Sequence, residues 1–100
     1  MNEPIPVKID PILAELAPKF LTRCKETVKE FHAAVRSRDP TVARRIGHAL
    51  FGTASSYGFD EMAAIGKEIE RAAQSEDFEA LKGLAERLDA HVARVQPVFD

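Results

Sequence analysis

Apolar residues recur at spacings of three and four along most of the chain, the period of helices that bury one face. Prolines and acidic residues cut this pattern into segments. Asp10-Pro11 and Asp39-Pro40 are one start signal used twice. In each, a carboxylate accepts from free first-turn amides, and the proline loses nothing at the first helical position. The first pair predicts a short helix over residues 11–16, stopped because Pro18 disfavours helical geometry at Ala17 and cannot donate back to residue 14. A second helix is predicted over 18–37 and a third over 40–57. Gly58 has the freedom to end the third in a left-handed conformation, with Phe59 folding back onto the preceding turn. Asp60 and Asp77 are read as caps of two more helices, over 60–74 and 77–96. These carry Met62, Ile65 and Ile69, and then Phe78, Leu81, Leu88, Val92 and Val95, on single stripes, the last ending at Pro97. Connections this short force antiparallel neighbours. The expected fold is all-α: an antiparallel up-down four-helix bundle with a short extra N-terminal helix capping one end.

At 100 residues the chain has the length of one domain. It would bury about two-thirds of its unfolded surface, enough for one core and too little for a deep substrate chamber. The 14 basic and 16 acidic side chains leave a net charge of −2, which argues against nucleic acid or a membrane surface as partner. The charge is uneven, however, with +3 on residues 1–50 followed by −5 on residues 51–100. An electropositive first half suits an acidic partner. Cys24 stands alone, so no intramolecular disulfide can form, which fits a reducing compartment. The N-terminal stretch lacks an apolar signal core, and no run approaches the length of a spanning helix. A cytoplasmic, free-standing monomer is the expectation.

Candidate chemistry sits on the third helix. With residue 43 at zero and about 100 degrees per residue, Ala43, Ile46, Gly47, Leu50, Ala54 and Tyr57 fall within about 60 degrees of one direction, the core. His48 comes out near 140 degrees, among Arg44, Arg45, Gly52 and Ser55, and so faces away from the core. A glycine inside a helix costs on the order of 1 kcal/mol relative to alanine and needs a reason. Gly47, on the buried face, lets a neighbouring helix approach closely. Gly52 lies outside that stripe and removes the side chain one turn beyond His48, clearing the approach of another molecule to the imidazole. Such a histidine suits a nucleophile reached by a protein.

His48-Ala49-Leu50-Phe51-Gly52, with Gly58 ten positions after the histidine, resembles the motif of the histidine-containing phosphotransfer family, H-x-L-K-G followed by a later glycine. The similarity extends through IDPILAELAPKFL, RSRDPTVARRIGHALFG and GFDEMAAIGKEIERAAQSEDFEALKGLAERL, nearly the whole chain. The resemblance implies that His48 accepts a phosphoryl group from a receiver-domain aspartyl phosphate, or returns it, in a two-component phosphorelay. Its partners would be a response-regulator receiver domain and a sensor or hybrid histidine kinase. Neutral imidazole, with a reference pKa of about 6.5, is available near pH 7, and one ring nitrogen attacks phosphorus while the other holds the proton. Glu70 matches the place where phosphotransfer domains of chemotaxis kinases set a glutamate beside the histidine. It is the candidate acceptor from Nδ1, leaving Nε2 to attack. The family's lysine three residues after the histidine is Phe51 here. Arg44, Arg45 and Lys67 are candidate phosphate contacts in its place, while Phe51 and Ser55 are candidate parts of the receiver-docking surface.

Cys24, His32 and His91 lie on other helices without partners at metal-ligand spacing, so no metal site is expected. No nucleotide loop or acidic magnesium cluster is present. The chain is therefore expected to carry phosphate without a cofactor or ATP site of its own, with Mg²⁺ only in the receiver. The competing reading is a non-catalytic helical adaptor that binds receivers or kinases without carrying phosphate.

Overall fold

Four helices carry most of the chain, and two five-residue strands tie its ends together. The computed structural model describes residues 3–99. In chain order these form strand β1 (Ile5–Ile9), a 3-10 turn (Pro11–Leu13), α1 (Leu16–Arg36), α2 (Pro40–Tyr57), α3 (Asp60–Gln74), α4 (Phe78–Arg94) and strand β2 (Val95–Phe99).

The ends of the chain depart from the sequence expectation. No short helix spans 11–16. Asp10 accepts from the Ile12 amide and sets only the turn Pro11–Leu13. Pro18 does not separate two helices either, because α1 already starts at Leu16. It is the third residue of α1, where the amide has no intrahelical acceptor and a proline loses nothing. At the other end α4 stops at Arg94, and Val95, assigned to the helical stripe by its spacing, begins β2. The fold is therefore helical with a small sheet rather than all-α.

β1 and β2 pair in parallel, from Ile5 beside Val95 to Ile9 beside Phe99. In a parallel pair, residues alternate between bonding the neighbour and facing the open edge. Proline, lacking an N–H, has to stand at an edge-facing position. Pro6 lies beside Gln96 and Pro97 beside Val7, so the prolines alternate correctly for one to blunt each edge. Ile9 is buried, and Val7, Val95 and Phe99 pack against the helical core.

The core runs the length of the helices, through Phe20, Cys24, Val28 and Phe31 of α1, Ile46 and Leu50 of α2, Met62, Ile65 and Ile69 of α3, and Leu81, Leu84 and Leu88 of α4. The connections α1–α2 and α3–α4 are the same device. In Ser37-Arg38-Asp39 and Ser75-Glu76-Asp77, each serine hydroxyl donates to the carbonyl four residues earlier. Each middle residue takes φ 53°, and each aspartate caps the next helix, Asp39 on the Val42 amide and Asp77 on the Ala80 amide. Asp60 makes no such cap. The N-cap of α3 is Phe59, with Asp60 and Glu61 in the first turn, where negative charge meets the positive helix end.

Candidate functional site

α2 is fixed at both ends before its middle is considered. Asp39 and Pro40 open it, and Gly58 closes it at φ 93°, its amide donating to the carbonyls of Ala54 and Ser55. The Phe59 amide donates back to Ala54, and the Phe59 ring joins Phe20 and Tyr57 in an aromatic cluster with centroids 5.0–6.2 Å apart. The orientation of α2 about its own axis, and with it the direction of His48, follows from this anchoring and from Ala43, Ile46, Leu50 and Ala54 in the core.

Two glycines then set the distance between α2 and α3. A Cβ at position 47 would lie 2.6 Å from the Glu70 amide nitrogen and 2.7 Å from the Gly66 carbonyl oxygen. A Cβ at position 66 would lie 2.7 Å from the Phe51 amide nitrogen and 2.9 Å from the Gly47 carbonyl oxygen. These are backbone atoms that cannot swing aside, so only glycine permits the crossing. Gly66 was missed in the sequence. Its signal was a second glycine on an apolar helical stripe, between Met62 and Ile69. The consequence is local: the residue after Gly47 is His48, and the residue four after Gly66 is Glu70.

Across this crossing the His48 Nδ1 lies 3.1 Å from Glu70 Oε2. A carboxylate only accepts, so a hydrogen bond at this contact requires the hydrogen on Nδ1. The two partners differ in exposure. The His48 side chain is 75% exposed, whereas that of Glu70 is only 14% exposed. Nothing lies within 4 Å of a Cβ placed at Gly52, one turn farther along. Lys67 stands beside the pair, its Nζ 3.7 Å from Glu70 Oε1 and 5.0 Å from the centroid of the Phe51 ring. Phe51 is 37% exposed at the edge of the core.

His48, Glu70, Lys67 and Phe51 thus form one cluster. Arg44 and Ser55 are exposed on the His48 side of α2, Arg44 one turn before the histidine. Arg45 is not part of the cluster. It lines a groove of about 420 Å³ between α1 and α2, with Arg23, Glu26 and Glu30. Among the described residues no group of three His, Cys, Asp or Glu side chains is placed to hold a metal ion, and no helix is long and apolar enough to cross a membrane.

The other ionisable core groups lie elsewhere. Cys24 is buried with Sγ 3.7 Å from Met62 Sδ, and burial pushes its thiol up to about 11. His91, only 3% exposed on α4, has Nδ1 3.5 Å from Glu61 Oε2, and burial holds its pKa below the usual histidine value.

Comparison with known proteins gives one match. The family model of the Hpt domain matches residues 15–96. No curated protein and no solved structure matches the chain. The matched stretch takes in all four helices and the α2–α3 crossing and covers most of the sequence. The chain belongs to the Hpt domain family, whose members serve histidine phosphotransfer in two-component phosphorelays.

Proposed function

We propose that this chain is a phosphorelay intermediate that accepts a phosphoryl group on His48 and donates it again, exchanging it with the aspartate of response-regulator receiver domains. The observation that carries the reading is the 3.1 Å contact between Nδ1 and the mostly buried Glu70, on a ring otherwise open to solvent. With its hydrogen held on Nδ1, the ring keeps an unprotonated lone pair on Nε2, the nitrogen facing away from Glu70. That lone pair attacks the phosphorus of an aspartyl phosphate in line. The N–P bond forms as the P–O bond breaks, and the aspartate leaves with the electron pair as a carboxylate. The ring gains positive charge while Nδ1 keeps its proton, and the Glu70 carboxylate stabilises that charge where it develops. Donation reverses each step.

The chain supplies a placed nucleophile. The metal ion and cationic clamp of the reaction would come from the receiver, where Mg²⁺ would supply charge neutralisation for the phosphoryl group. The open backbone at Gly52 admits the partner to Nε2. Phe51 and Ser55 offer it a docking surface, and Arg44 a phosphate contact from one turn away. A sensor or hybrid histidine kinase charges the relay upstream.

The test is transfer from receivers charged with acetyl phosphate. Label is expected on the wild-type chain in an acid-labile, alkali-stable bond and absent from folded His48→Gln. Labelling that persists in His48→Gln rejects the assignment. Receivers that bind without transferring to the wild type establish the adaptor reading instead.

A further inference from the structure

We infer that Lys67 is a positioning residue for His48, acting through Glu70: it anchors the far oxygen of the carboxylate whose near oxygen holds the imidazole hydrogen. The inference rests on the phosphotransfer reading of His48, and it reassigns Lys67 from a contact of the phosphate to a contact of the glutamate.

Glu70 Oε1 is buried and has no hydrogen-bond partner among the described residues. A carboxylate with one oxygen on Nδ1 and the other unpartnered lacks a second hydrogen bond to fix its plane, and tilting it about the terminal bond moves Oε2 off Nδ1. An electrostatic restraint lies close by. Lys67, three residues earlier on α3, has its ammonium 3.7 Å from Oε1. This is too long for a hydrogen bond but well within ion-pair range. Oε2 faces Nδ1, so one carboxylate spans the histidine and the lysine with an oxygen for each.

Phe51 explains why the ammonium stays there. A lysine on a helix surface has four flexible carbons and a strongly hydrated head. Here the head lies over the face of the Phe51 ring at 5.0 Å, inside the range of a cation–π contact. The ring comes from α2, three residues after His48, and the lysine from α3, one residue after Gly66. The glycine crossing that sets the His48–Glu70 distance therefore also brings Lys67 onto Phe51. Where the family motif carries a lysine beside the histidine, this chain has an aromatic surface at that place and the cation on the opposite helix. With its ammonium engaged by Oε1 and by the Phe51 ring, Lys67 is assigned to the carboxylate rather than to the phosphoryl group.

The test reads the imidazole itself and needs no partner protein. Long-range ¹H–¹⁵N NMR of the unphosphorylated chain distinguishes an Nδ1–H from an Nε2–H ring. The wild type is expected to show His48 as Nδ1–H. Lys67→Gln should average the two ring nitrogens toward a mixture, and Lys67→Arg should restore the wild-type pattern. In the same variants, transfer from a charged receiver should fall about tenfold for Lys67→Gln and recover for Lys67→Arg. Lys67 is half-exposed, and the variants are compared at equal helical content by circular dichroism. A Lys67→Gln spectrum identical to the wild type overturns the inference, as does a Lys67→Arg spectrum displaced as far as Lys67→Gln. The two readings fail separately. If His48 never takes phosphate but its tautomer follows residue 67, the phosphotransfer reading falls and the positioning role stands; if His48 is labelled in all variants with an unchanged tautomer, the reverse holds.

Discussion

Alanine at position 47 should separate the two helices that make the site. The new methyl carbon would meet the Glu70 amide nitrogen at 2.6 Å, the Gly66 carbonyl oxygen at 2.7 Å and the Ile69 Cγ2 at 2.8 Å. Restoring ordinary contact requires α2 and α3 to part by roughly 0.7 Å, because two of the three obstacles are backbone. Overpacking of this kind costs about 1–3 kcal/mol, and a fixed backbone places it near the upper end. Replacing a mid-helix glycine by alanine returns about 1 kcal/mol. The balance is a loss of about 2 kcal/mol, or a fall in Tm of roughly 8–16 °C for a domain of this size. The same separation stretches the His48–Glu70 contact beyond hydrogen-bond length, so the Nδ1–H signal of His48 should be lost together with stability. Gly52→Ala is the internal control. Its methyl meets nothing within 4 Å, so the variant should gain about 0.5–1 kcal/mol from helix propensity alone. Urea unfolding of the three proteins measures both signs. A Gly47→Ala protein as stable as the wild type, or with the gain seen for Gly52→Ala, would refute the glycine-crossing argument.

Two further predictions concern the scaffold. Glu76 holds φ 53° in the α3–α4 connection, a conformation that costs a side chain roughly 1–2 kcal/mol; Glu76→Gly should therefore raise the urea midpoint, and an unchanged or lowered midpoint would contradict the claim of strain. His91 is held below its ordinary pKa by burial, with Arg87 and Arg94 acting in the same direction and Glu61 opposing them. Its unfolded form thus binds a proton before the folded form does, and stability should fall as pH drops below about 6.5. His91→Leu should flatten that part of the stability profile, and a variant with the wild-type slope between pH 7 and 5 would show that His91 is not the group responsible.

The four helices were legible because their signals are local. Asp39-Pro40 and Gly58 lie in the chain next to the ends they make, and an apolar stripe at helical spacing needs no knowledge of its partner. The strands were not legible for the opposite reason. Ile5–Ile9 and Val95–Phe99 are stabilised by each other across the length of the chain, and neither segment is long enough to announce itself by alternation. Val95 even continues the spacing of α4 by one more step. Pro18 misled because its effect depends on which turn it occupies. In an established helix it breaks a bond, while in the first turn of α1 there is no bond to break. At the site, helical phase sufficed to turn His48 outward and Gly47 inward. It could not show that Gly66 meets Gly47, that Arg45 turns toward α1, or that Lys67 stands on the Glu70 carboxylate, since each depends on how neighbouring helices are packed.

The central claim is that Glu70 holds the proton of His48 on Nδ1 and leaves Nε2 to carry the phosphoryl group, and locating the N–P bond tests it most directly. The chain, charged by a phosphorylated receiver and labelled with ¹⁵N in its histidines, should show ³¹P–¹⁵N coupling to Nε2 of His48 and none to Nδ1. Coupling to Nδ1, or to a nitrogen of His32 or His91, would contradict the account.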